Sequence, residues 1–292
     1  MHVRKSTGEI IFIVLNYILL TLIGLLTVFP FLNILAKSLS SEAAVVSGMV
    51  TVYPVDLQFG TYKYVIFESM FASSLKVSIF VTVTGTFLSM LLTAVTAYPL
   101  SKQELKGRKL LLIIFVFVML FNGGMIPNYL LIKNLNLMNK VWSLVLPNLI
   151  IIFNMLVIKS YFETIPDSLH EAATIDGASN VKILFLIILP ISLPVLATVS
   201  LFYAVSYWNN YFAAMLYISK PDLKPLQLYL YELISQSQSI EERVTDMTDL
   251  TNLTTEAVRT ATIIVSTVPI LVVYPFLQRY FVKGMIIGSV KG

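Results

Sequence analysis

The hydrophobic pattern of this chain comes in blocks. Asp, Glu, Lys and Arg are absent from 10–36, 77–101, 110–132, 141–158, 183–219 and 260–278, and the charges crowd into the segments between them. An α-helix needs roughly 17–25 apolar residues to cross a hydrocarbon core about 30 Å thick, and each block is long enough. Lipid offers no partner to backbone N–H and C=O groups, so spans of this kind are expected to be α-helices. The alternation of a membrane β-strand is absent. The pattern predicts an all-α polytopic membrane protein with six transmembrane helices, at about 10–36, 77–101, 110–132, 141–160, 183–210 and 260–281, in a single domain covering 1–292. The first block ends in Phe29-Pro30-Phe31 rather than in a small-residue cleavage site, and it exceeds the apolar core of a signal peptide. It is read as a retained first helix.

Composition agrees with the pattern. The chain has 57% hydrophobic and 12% charged residues, with a mean hydropathy of +0.83. Soluble domains carry about 25% charged residues, which argues against a water-soluble protein. Net charge is +4, which is ordinary for a membrane protein and gives no sign of nucleic acid. With no cysteine and only His2 and His170, neither a disulfide nor a metal cluster is expected.

Lys and Arg set the expected orientation. With the N-terminus inside, the inner set holds eleven of the twenty basic residues, in short connections. The other nine are spread mainly over two long outer loops, about 37–76 and 211–259. The densest basic turn, Lys102 to Lys109, joins the second and third blocks. This pattern favours both termini in the cytoplasm. The second outer loop is acidic along 220–259, and its Leu226–Ile234 stretch reads as an amphipathic helix near the interface. These loops are either solvated connectors or a docking surface for an external partner.

Several blocks carry more than hydrophobicity. The third contains Asn122-Gly123-Gly124 and Pro127, which must weaken or bend a helix. The fourth holds Pro147, Asn148 and Asn154. The fifth ends in Tyr203, Tyr207, Trp208 and Asn209. Such aromatics gather at headgroup depth in most membrane proteins. They could equally stack on a sugar ring while asparagine amides bond its hydroxyls. Asn122, Asn148 and Asn154 fit either interhelical hydrogen bonds or ligand contacts.

The segment Ile165 to Pro190 is a polar insertion between two apolar blocks, and its part within about 163–182 is an expected cytoplasmic loop. Ser168 followed by Glu171 gives a capping-box spacing just after Pro166. Ala172 and Ala173 are strong helix formers whose small side chains let another surface approach. Gly177 allows a turn that a Cβ would disfavour, and Leu189-Pro190 is expected to open the next span. Glu171 then serves as a contact, a helix cap, or both.

Glu171-Ala172-Ala173, Gly177 and Leu189-Pro190 at this spacing resemble the EAA signature of the membrane-spanning subunits of bacterial ABC importers. The stretch Gln278 to Gly292 is similar to the tail of carbohydrate permeases of the maltose type. The residues from Phe121 to Asn134 resemble the subgroup serving polysaccharide fragments, the aldouronate, rhamnogalacturonan and lipo-oligosaccharide permeases. The resemblance implies a type I importer permease in the cell membrane. In that family the loop forms coupling helices that dock into a cleft of a separate ATPase. It implies ATPase contacts at His170, Glu171, Ala172, Ala173, Asp176, Gly177 and Lys291. It also implies a second homologous permease, two ATPase subunits, an extracytoplasmic solute-binding protein and a carbohydrate substrate, with ATP and Mg bound by the ATPases. No GxxxxGK[ST] pattern occurs in the chain, so energy is expected from a partner. A proton-driven transporter usually needs intramembrane acids or histidine, which the six blocks lack; sodium coupling is disfavoured less strongly. A permease for a peptide or amino acid is the alternative within the importer class.

Overall fold

The computed structural model describes residues 6–68, 70–121, 123–241, 256–269 and 271–272. Among these, every regular element is helical. The chain separates into two compact units, Met1–Ser69 with Glu232–Pro269 and Met70–Tyr231 with Ile270–Gly292.

The first unit is dominated by helix α1, Thr7–Ser38, of 32 residues. Glu9 opens it by accepting a hydrogen bond from the Ser6 N–H at 3.1 Å, which satisfies one of the donors a helix start leaves open. Its side chains are exposed almost to its end. Among the described residues its partners lie toward its C-terminal end, from Asn33 onward. The hydroxyls of Ser38 and Tyr62 lie 2.6 Å apart, and Ser40 joins the Ala36 carbonyl to the Val55 N–H. A short helix α2, Glu42–Val46, is capped by Ser41 and adds Ala44 and Val45 to a small core with Ala36 and Val50. Glu256, in the helical stretch 256–269, pairs with Lys37 and Arg259.

The second unit is built around helix α3, Phe71–Ser101. Its buried face reads Ser74, Ser78, Val81, Gly85, Ser89, Thr93, Ala97 and Ser101, mostly small residues about one turn apart. Small residues let backbones approach closely where lipid supplies no hydrophobic drive. After α3 come α4, Arg108–Leu120, and α5, Met125–Asn134. These two meet at 108°, across Gly124 at φ +88, so the glycine-rich stretch does turn the chain. Next are α6, Trp142–Asn148, and α7, Ile152–Phe162, bent by 48° where Pro147 sits in a 3-10 turn. The polar insertion forms α8, Asp167–Ile175. Helix α9, Asn180–Ile191, then meets α10, Leu193–Trp208, at 87°. Helices α11, Tyr211–Tyr217, and α12, Leu226–Glu241, follow. The core of this unit is the packing of α3 with α7 and α10, filled by Met155, Ile158, Val199 and Tyr203.

Two unbroken helices, α1 and α3, and three bent pairs have the length and hydropathy of spans. Of the last apolar block, 260–281, only its first part lies among the described residues.

Two local expectations are corrected. Leu189-Pro190 does not open a helix. Ser179 caps the helix at Asn180, and Pro190 lies within it. Pro190 cannot donate a backbone hydrogen bond, and the turn before it, Leu184–Ile188, is widened to a π-helix. The chain breaks instead at Ser192, with Pro194 in the first turn of α10. The Ser168–Glu171 capping box is also absent. Helix α8 starts two residues earlier than that box requires, after Pro166, and makes no side-chain cap. Ser168 thus falls inside the helix, where its hydroxyl cannot act as the cap.

Candidate functional site

Helix α8 is short and is held from behind by charge. Lys102, at the end of α3, pairs with Asp167 at 3.1 Å. Asp167 stands in the first turn of α8, where a carboxylate suits the helix dipole. Just before it, Glu163 binds Arg108, at the start of α4, and Lys159 of α7 at 2.7 Å. Arg108 Nε also donates to the Leu100 carbonyl at 2.8 Å. The basic turn Lys102 to Lys109 and the start of α8 are therefore tied together at one end of this unit. Isolated exposed pairs contribute little, but here two sets, Lys102–Asp167 and Arg108–Glu163–Lys159, flank the same connection.

The back of α8 packs inward. Ala173 is buried, and the His170 ring lies 6.5 Å from that of Tyr98, which in turn meets Phe162 edge-on. The front of α8 is different. Ser168, Glu171, Ala172 and Ile175 fall on one helical face, and all four are exposed. Ile175 is 86% exposed, an apolar side chain presented from a polar loop. The two alanines of the signature thus have different roles: Ala173 seats the helix and Ala172 leaves its outer face low.

Helix α8 ends in a Schellman turn. Ala178 N–H donates to the Ala173 carbonyl at 2.9 Å, and Gly177 N–H donates to Thr174 at 3.0 Å. Asp176 is the exposed C-cap residue. Gly177 takes φ +78, so its place in the motif follows from backbone geometry. Lys291 lies outside the described residues.

The polar residues of the apolar blocks do not form one cluster. Tyr203 and Tyr207 are buried, and their hydroxyls bond to other helices. Tyr203 Oη pairs with Thr93 at 2.7 Å and accepts from the Ile151 N–H at 2.9 Å. Tyr207 Oη pairs with Ser89 at 2.9 Å and donates to the Val145 carbonyl at 3.2 Å. Trp208 is partly buried, and its indole N–H has no hydrogen-bond partner among the described residues. Asn209 is the exposed C-cap of α10. Asn148 is half-buried at the end of α6. Asn154 is buried on α7, and its amide nitrogen has no partner among the described residues. Asn122 lies outside the described residues.

Sequence reasoning missed the residues that organise both regions. Glu163, Arg108 and Lys159 looked like ordinary loop charges. Gly85, Ser89 and Thr93 were hidden inside an apolar block. Their spacing of four was the signal available, since it puts three small residues on one helix face.

The family model described as binding-protein-dependent transport system inner membrane component matches residues 89–287. The chain is 41% identical over 282 residues to the polygalacturonan/rhamnogalacturonan transport system permease protein YtcP of Bacillus subtilis (strain 168), covering 97% of this chain and 99% of that one. It is 42% identical over 302 residues to Protein LplC of the same organism, covering 100% and 98%. A solved chain from a bacterial ABC transporter involved in the import of the acidic polysaccharide alginate superposes with a TM-score of 0.86 at 35% identity, covering 95% of this chain and 99% of that chain. The protein described here is all-helical with a type I ABC permease fold, and it belongs to the family of binding-protein-dependent transport system inner membrane components.

Proposed function

We propose that this chain is one permease subunit of an ATP-driven importer that carries an oligosaccharide into the cell by alternating access. The observation that carries this reading is the outward face of α8. It offers Glu171, Ala172 and Ile175 to solvent, its first turn is tied to the end of α3 by Lys102–Asp167, and the Glu163 just before it is tied to α4 and α7 by Arg108 and Lys159. A surface so anchored can pass a push from a soluble partner to several apolar helices at once. The chain has no phosphate-cradling loop of its own, so the push comes from separate ATPase subunits that bind ATP and Mg. The substrate class rests on likeness to permeases named for polygalacturonan, rhamnogalacturonan and alginate transport.

In this reading six spans cross a bacterial cell membrane with both termini in the cytoplasm. The joining of α8 to the basic turn Lys102 to Lys109 supports the inner placement of both. The assembly comprises a second permease, two ATPases and an extracytoplasmic solute-binding protein. His170, Glu171, Ala172, Asp176, Gly177 and Lys291 belong to the ATPase side, with Ala173 seating the helix from behind. Trp208, Asn209, Asn122, Asn148 and Asn154 are the residues we assign to the sugar path.

Purification of the tagged chain from mild detergent, with mass identification of what accompanies it, tests this assignment. An ATPase and a second permease are expected, and a chain that purifies alone in every detergent would count against it. Trp208→Ala is expected to lower oligosaccharide import severalfold while the complex still assembles. Unchanged uptake kinetics in that variant would leave Trp208 as an interfacial anchor only.

A further inference from the structure

Tyr203 and Tyr207 stand one turn apart on α10, and each hydroxyl reaches two other helices. On α3 the partners are Thr93 and Ser89, also one turn apart. Beyond α3 lies the break between α6 and α7, where the apolar chain is not helical. Backbone groups at such a break need partners when water is excluded. The tyrosines supply two of them, at the Val145 carbonyl and the Ile151 N–H.

Proton counting fixes part of this network. A tyrosine has one O–H to give. Tyr207 spends it on Val145, so Ser89 must be the donor in the Ser89–Tyr207 bond. The site is also tight. A Cβ at Gly85 would come within 2.8 Å of the Tyr207 ring, so the absence of a side chain there is what lets the ring lie against α3. Filling space would require only phenylalanine at 203 and 207. The hydroxyl bonds span three helices, and packing alone would not call for them.

We propose that Tyr203 and Tyr207 are positioning residues: they pin the broken helix α6–α7 to α10, so that α6–α7 is carried as α10 moves. Helix α10 follows α9, which follows α8, in one continuous chain segment. Asn148 and Asn154 flank the pinned break and are therefore held in register with α10. The pin stands on the hydrogen bonds above; its use in transport rests on the importer reading.

The chain has no cysteine, so spin labels can be placed on single introduced thiols without background from it. Leu146 of α6 and Leu193 at the start of α10 are exposed positions, about 20 Å apart by helix rise. In the assembled complex the wild-type pair is expected to give one distance distribution. That distribution should be the same in nucleotide-free protein and in the ATP–vanadate trapped state. In the Tyr203→Phe/Tyr207→Phe variant a second population or an ATP-dependent shift should appear. Gly85→Ala, which keeps both hydroxyls but pushes on the Tyr207 ring, should give the same second population, as should Tyr207→Phe alone. These two variants carry the test if the double variant does not assemble. One unchanged distribution in every variant that assembles overturns the proposal, as do two populations in the wild type. A control pair, Leu146 with Val181, reads the importer proposal separately. If ATP moves no wild-type distance, that proposal fails, and the widths in nucleotide-free protein still decide the pin.

Discussion

Glu171→Lys is expected to abolish ATP-driven import while leaving the fold of the chain intact. Glu171 is exposed on α8 and is not used as its cap, so the substitution touches nothing that holds the protein together. Surface changes of this kind stay within about 0.5 kcal/mol of neutral. At an interface the same reversal is far more costly. Losing one partner of a close charge pair costs about 2 kcal/mol or more, which is on the order of 30-fold in affinity. The expected result is a chain with wild-type melting behaviour from which the ATPase dissociates on a sizing column. Retention of the ATPase together with normal uptake would remove Glu171 from the docking face.

A second large effect is expected inside the bundle. Gly85→Val places a branched side chain where even a Cβ would stand 2.8 Å from the Tyr207 ring. Helix α3 cannot retreat without losing its other contacts with α10, so the ring must move. That movement breaks the bonds of Tyr207 to Ser89 and to Val145. Overpacking costs about 1–3 kcal/mol, and a buried carbonyl left unpaired adds about 1–3 kcal/mol more. Together these are a large fraction of the about 5–15 kcal/mol that holds a typical domain folded. The expected outcome is loss of folded, detergent-extractable protein, read by yield and by thermal melting. A Gly85→Val variant that melts like the wild type would mean that α3 and α10 are not packed as described.

What was legible in the sequence was the chemistry of segments. The charge-free blocks 10–36 and 77–101 lie within the unbroken helices α1 and α3, because lipid solubility and backbone satisfaction are both local properties. Gly177 could be assigned to a turn because a positive φ has few occupants. The glycines before Pro127 could be assigned to a bend for a similar reason. Registration between segments was not legible. That Tyr207 meets Ser89 across 118 positions depends on how α3 and α10 slide against each other. The aromatic end of the fifth block therefore looked like one site, whereas Tyr203 and Tyr207 point into the helix packing and Asn209 does not. Ser168 and Glu171 show the opposite limit. Their spacing fits a capping box, yet the helix begins two residues sooner, where Asp167 reaches Lys102. An N-cap pattern fixes a helix start only when no tertiary contact moves it.

The two halves of the proposed mechanism are physically continuous. Asp167 joins α8 to the end of α3, Glu163 in the connection just before α8 joins α7 to α4, and the tyrosine hydroxyls join α10 to α3 and to the α6–α7 break. A push on α8 thus reaches the region of Asn148 and Asn154 by two routes, one of charge and one of buried hydrogen bonds.

The central claim is that a borrowed ATPase drives this chain. Its most direct test is uptake of labelled galacturonate and alginate oligosaccharides into proteoliposomes carrying the purified complex, with the binding protein outside. Accumulation is predicted only with ATP and Mg on the ATPase side, and it should persist when proton and sodium gradients are collapsed. Uptake that proceeds without ATP and follows an imposed proton or sodium gradient would contradict the account.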